Sequence, residues 1–157
     1  MNLLAVPYFK QDTVYTCGPA SLKMAFAHFG VEVSEDELVP LLGPNDAFGT
    51  EREKMSDVVK SFGLIPFERT DATIDDVRRL VSRGVPVILR FLEEQDNTDH
   101  YGVAIGIGEE EIVLHDPWVG ANISYELGRF VIRWPCTYRR GQTCWMLGIG
   151  DQKIKHE

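Results

Sequence analysis

The chain has 157 residues, 44% of them hydrophobic, and a formal net charge of -8, enough for one domain over residues 1–157 to bury a core without disulfide staples. Its three cysteines are an odd count that fits reduced thiols. The acidic balance, without Lys or Arg clusters to neutralise phosphates, argues against a nucleic-acid or anionic-membrane partner; no apolar stretch could span a bilayer and residues 1–9 lack a signal-peptide pattern, so a cytoplasmic setting is expected.

Residues 3–9 read as a short extended segment in which Pro7 suits an edge or loop rather than a central strand. A loop follows, running from Gln11 to Cys17. From Pro19 the pattern turns helical, with Leu22, Ala25, Phe26 and Phe29 on one stripe and Gly30 placed to close the helix. Proline belongs in a first turn, so the helix starts at Cys17 or just after it. The stripe predicts a central, largely buried helix with the cysteine at its tip. A helix N-terminus carries partial positive charge and unpaired N–H groups, which favour a thiolate there. The alternative for Cys17 is a buried thiol that packs as a small hydrophobe.

Three more helix starts follow from a Ser or Thr cap with a carboxylate three residues on: Ser34 with Glu37, Thr50 with Glu53, and Thr73 with Asp76. The first of these is expected to be limited by Pro40, leaving residues 43–46 as loop. The second should run to about Phe62 and stop at Gly63. The third carries Val77, Leu80 and Val81 on one side and ends at Gly84, after which residues 86–92 form a strand.

Residues 100–108 alternate. Tyr101, Val103, Ile105 and Ile107 lie on one face, and His100, Gly102, Ala104 and Gly106 on the other. A face this bare implies close approach by another element. After a turn at residues 108–111 comes a second strand, residues 112–116, with Ile112, Leu114 and Asp116 on one face and His115 on the other. The two should pair as an antiparallel hairpin with His100 and Asp116 at its open end. Their contact depends on register, because a slip of three residues would separate them by roughly 10 Å.

Residues 124–134 have helical spacing at Ser124, Leu127, Phe130, Val131 and Trp134, while Ile123, Tyr125 and Leu127 also alternate as a strand, so both readings stay open. Residues 144–149 read as a closing strand, and residues 151–157 as a polar, frayed tail. Cys136 and Cys144 with His156 match no usual zinc spacing and lack a fourth ligand, so free cysteines, no metal and no cofactor are expected. Trp118, Trp134 and Trp145 are core or rim residues, with Trp118 also placed to line a cleft.

The pattern Gln11-x5-Cys17-Gly18-Pro19-Ala20, then His100-Tyr101 on a strand and Asp116-Pro117 at the end of the next, resembles the papain-like cysteine peptidases of the double-glycine leader peptidase, or bacteriocin-processing, type. The resemblance spans residues 6–117. It implies an α+β fold with the cysteine helix packed on an antiparallel sheet, Cys17 as nucleophile, His100 as general base, Asp116 as the group orienting it, and Gln11 as an oxyanion-hole donor. The expected partner is a peptide or protein substrate. Peptidases of that type front a membrane exporter with an attached ATPase, and residues 1–157 carry neither. Two alternatives remain beside hydrolysis: acyl or peptidyl transfer on the same fold, and a non-catalytic, leader-recognising binding module.

Each residue also has a simpler reading: Gln11 as a solvated loop residue, His100 as a structural histidine, Asp116 as the start of an Asp-Pro turn. Asp99 is the substitute for Asp116, although it neighbours His100 and so points away from it. His28 lies about 16 Å along the helix axis from Cys17, too far to serve it.

Overall fold

A computed structural model describes residues 1–44, 52–94, 98–134 and 144–153. The cysteine helix is α1, Cys17–His28. Its predicted stripe is real, with Leu22, Ala25 and Phe26 fully buried. The burial extends further round the helix, because Ala20, Ser21 and Met24 are also inaccessible. Gly30 closes it at φ 75°, a left-handed conformation that costs glycine little.

Helix α2, Glu35–Leu42, begins with the expected capping box between Ser34 and Glu37. Pro40 does not stop it. The helix continues to Leu42 and closes on Gly43 in the left-handed region, so the proline costs one N–H in the last turn of a short helix. A single 3-10 turn at Arg52–Lys54 leads into α3, Met55–Ser61, which ends before Gly63 as anticipated. Strand β1, Ile65–Arg69, follows, and α4, Ile74–Ser82, starts from the Thr73–Asp76 capping box. Then come β2, Val87–Leu92, β3, Asp99–Ile107, β4, Glu111–Asp116, β5, Gly120–Glu126, α5, Leu127–Arg133, and β6, Met146–Gly150. Residues 120–133 thus satisfy both earlier readings in turn, strand first and helix second. Thr50, Asn45, Asp46, Cys136 and His156 lie outside the described residues.

The six strands form one antiparallel sheet in the order β1-β6-β2-β3-β4-β5. Alternation along β2 sends Ile88 to one face and Val87, Leu89 and Phe91 to the other, and a hydrophobic core forms on each side. One core joins α1, α2 and α3 to Ile88, Tyr101, Val103 and Ile105. The other joins α4 and α5 to Val87, Leu89, Phe91, Ala104 and Leu114. This is the α+β papain-like arrangement expected, with the cysteine helix packed on the antiparallel sheet.

Helix α1 lies on the bulky face of β3. The bare face is approached instead by Phe91, whose ring would come within 3.3 Å of a Cβ on Gly102, and by Leu3 and Met1 over Gly106. The N-terminal segment is held there by Leu4 N–H donating to the Ile105 carbonyl at 2.8 Å, beyond the end of the β2–β3 pairing. Among the described residues, no helix is long and apolar enough to cross a membrane.

Candidate active site

Cys17 is the first residue of α1 and is buried. Thr16, at the cap, spends its hydroxyl on Thr13, donating to the Thr13 carbonyl at 3.1 Å and accepting from the Thr13 N–H at 3.0 Å. It therefore makes no side-chain cap, and no acidic residue lies in the first turn. The N–H groups and partial positive charge of the helix start are left facing the region of the thiol.

His100 comes to this point from β3. The body of α1 packs on the opposite face of the strand, yet His100 sits one residue from the strand's beginning, where the tip of the helix reaches the sheet end. Cys17 is a close neighbour of the imidazole and favours its protonated form. The other side of the ring is fixed, since Nε2 donates to Asp116 Oδ1 at 2.7 Å in a buried contact. That bond leaves Nδ1 as the ring nitrogen available to Cys17. Continuing the observed Val103–His115 pairing sets Gly102 opposite Asp116 and makes His100 its diagonal neighbour on the same face, within reach of a long side chain. Gly102, with no side chain, stands between them.

Asp116 is fully buried. Its Oδ1 also accepts the N–H groups of Trp118 at 2.9 Å and Val119 at 3.0 Å, so the Asp-Pro turn and the histidine contact use the same oxygen. Oδ2 has no hydrogen-bond partner. Burial alone would raise the Asp116 carboxyl, but the His100 hydrogen bond and charge, with the two backbone N–H groups, hold it below the usual carboxylate range. Burial likewise works against a charged imidazole at His100. The hydrogen bonds to Asp116 and Cys17 and their negative charges outweigh it and push His100 up to about 10.

Gln11 is buried rather than solvated. Its backbone N–H donates to the Pro117 carbonyl at 2.8 Å, tying the nucleophile loop to the turn that carries Asp116. The side-chain Nε2 donates to the Thr13 carbonyl at 2.5 Å, which engages one of its two hydrogens, and Oε1 is buried without a partner. Asp99 is committed elsewhere, in an ion pair with Arg90 at 2.9 Å. His115 points to the other face as expected: Nε2 donates to the Val6 carbonyl at 2.7 Å, Nδ1 accepts from the Asn122 N–H at 3.2 Å, and burial lowers its affinity for a second proton. His28 is remote, beside the carbonyls of Ala5 and Gly84.

Two neighbours of the site escaped the sequence reading. Tyr8 donates its hydroxyl to the Asp116 carbonyl at 2.7 Å, and burial with the Asp116 charge raises its phenol. Glu35 lies buried at the start of α2 and accepts the Asp12 N–H at 3.0 Å. Both act across the fold on the loop or turn, and neither has a local sequence signal beyond residue type. Trp118 is 45% exposed with Lys10 over its ring, while Trp134 and Trp145 are core residues. Cys144 is a half-buried free thiol, and among the described residues no three metal-ligating side chains converge.

The Peptidase_C39 like family profile matches residues 3–142. An uncharacterised protein of Methanothermobacter marburgensis is 31% identical over 111 residues, covering 71% of each chain. The peptidase domain of Streptococcus ComA, a bifunctional ABC transporter of a quorum-sensing pathway, superposes with a TM-score of 0.73 at 20% identity, covering 92% of this chain and 97% of that one. A double-glycine-motif protease from an AMS/PCAT transporter, solved with its leader peptide, gives 0.71 at 18% identity over 96% and 95% of the two chains. A candidate C39-like peptidase from Bacillus anthracis gives 0.74 at 17% identity over 100% and 99%.

Proposed function

The chain belongs to the Peptidase_C39 like family, and from that premise we propose that it is a cysteine peptidase that cleaves a peptide bond through an acyl-enzyme at Cys17. Family and fold support a peptidase-type function. The observation that carries the finer reading is the buried hydrogen bond from His100 Nε2 to Asp116 Oδ1, with Cys17 a neighbour of the same imidazole.

With the proton of Cys17 already held by His100, the sulfur attacks the scissile carbonyl carbon to form a C–S bond. Asp116 keeps the proton on Nε2, so that Nδ1 is the nitrogen that exchanges protons with the thiol and the substrate. The tetrahedral oxyanion is met by the Cys17 N–H at the helix start and by the second Nε2 hydrogen of Gln11. His100 then gives its proton to the leaving amine as the C–N bond breaks. Water next attacks the thioester while His100 takes its proton, the C–S bond breaks, and the acid product leaves with Cys17 regenerated.

The substrate on this reading is a peptide or protein segment entering beside Trp118 and the exposed Val14 of the nucleophile loop. The protease that was solved with a leader peptide is a guide to its class. Residues 1–157 act in this proposal as one catalytic domain. The test is a mass-spectrometric digest of a peptide library. Cleavages made by the wild type and absent with Cys17→Ala are expected; a folded wild type without any Cys17-dependent cleavage across the library would overturn the reading.

A further inference from the structure

Residues 11–16 must present Cys17, Gln11 and the helix start in one geometry, and the segment is tethered at two points outside itself. One is the Gln11 N–H on the Pro117 carbonyl. The other is the Asp12 N–H on Glu35 Oε2, from a residue that follows the Ser34 cap on α2. Glu35 is 4% exposed, an uncommon place for a glutamate in the first turn of a helix, where solvent would serve the helix dipole equally well. Its other oxygen, Oε1, is buried with no hydrogen-bond partner among the described residues. Burying a carboxyl in this way is unfavourable unless the contact it makes is needed. On the proposed peptidase reading, which this inference rests on, the need is the loop.

We propose that Glu35 is a positioning residue: its carboxyl oxygen fixes the backbone at Asp12 and thereby the approach of Gln11 and Cys17 to His100. It touches no reacting atom and acts through the loop alone. Burial and the adjacent Asp12 carboxyl push the Glu35 carboxyl up to about 7, so near neutrality it is protonated about half of the time. The acceptor oxygen for Asp12 N–H remains in either protonation state. A glutamine reproduces that state, with one amide oxygen to accept and one NH₂ to donate. An aspartate, one methylene shorter, keeps the charge and the favourable first-turn position but withdraws the acceptor from Asp12.

The experiment compares wild type, Glu35→Gln and Glu35→Asp by amide hydrogen exchange over residues 11–17, and by the rate at which iodoacetamide alkylates Cys17. Neither measurement needs a substrate. Glu35→Asp is expected to accelerate loop exchange about tenfold and to slow alkylation by a similar factor, the effect of leaving one buried N–H without its hydrogen bond. Glu35→Gln is expected to stay within about twofold of wild type in both. Exchange in Glu35→Asp equal to wild type, or Glu35→Gln as loose as Glu35→Asp, would overturn the inference. Absence of any Cys17-dependent cleavage would instead overturn the peptidase reading, leaving the exchange result to stand by itself.

Discussion

Replacing Asp116 by asparagine removes one charge while keeping the shape of the turn. The amide oxygen can still accept the N–H groups of Trp118 and Val119, so the fold around it should survive. What changes is His100. In the wild type, burial opposes its charge and the two partners override that opposition to hold it near 10. With the Asp116 charge gone, one of those partners no longer compensates for desolvation, and the imidazole pKa should fall. The sign for stability follows. His100 is raised in the folded state, so its contribution is fully present below the unfolded value of about 6.5 and lost as pH rises through about 10. Asp116→Asn should shrink that alkaline loss and shift it to lower pH. The assay is NMR titration of the His100 ring in both proteins, with thermal unfolding at pH 6 and pH 9 beside it. Peptide hydrolysis should drop by about 10³–10⁴, as loss of the orienting carboxylate does in comparable triads. A His100 titration that does not move in Asp116→Asn would refute the reasoning.

Gln11→Ala should lower kcat by about 10²–10³ with little change in KM, the loss of one oxyanion donor, read by steady-state kinetics on a cleaved library peptide; an unaltered kcat removes Gln11 from the mechanism. Gly148→Ala should destabilise the sheet by about 1–3 kcal/mol in urea unfolding, because a Cβ there would meet Leu80 Cδ1 at 2.8 Å, and Val85 Cγ1 at 3.2 Å and Phe67 Cβ at 3.4 Å close off the other directions. Thr73→Ala should cost about 1 kcal/mol by removing the α4 cap. Asp76, whose carboxyl is held low chiefly by the Thr73 backbone N–H, loses its stabilising contribution as pH falls through its folded value, and because the cap variant keeps that N–H and loses only the hydroxyl contact, its acid transition should stay close to that of the wild type.

The parts legible in the sequence were those specified locally. Ser34 with Glu37 and Thr73 with Asp76 announce their helices because cap and carboxylate satisfy each other within four residues. The β3–β4 hairpin was readable from alternation and a short turn. Strand β1 was not, since Pro66 suppresses the strand pattern and is tolerated at the sheet edge, where β1 pairs only with the distant β6. The face on which α1 packs was equally hidden. Bare Gly102 and Gly106 suggested a close neighbour without saying which, and the neighbours proved to be Phe91 and the N-terminal Leu3 and Met1. The meeting of His100 with Asp116 was anticipated, but its diagonal register and the irregularity after Ala104 depend on pairings that no single strand encodes. Glu35 read only as a first-turn acid because its partner is 23 residues away.

The central claim is a covalent acyl intermediate on Cys17. Acid-quenching a reaction with a cleaved library peptide and weighing the intact protein tests it most directly. The account predicts an adduct equal in mass to the acyl portion of the substrate, mapped to Cys17 and absent in Cys17→Ala. An adduct mapped to another residue, or full turnover by Cys17→Ala, would contradict it.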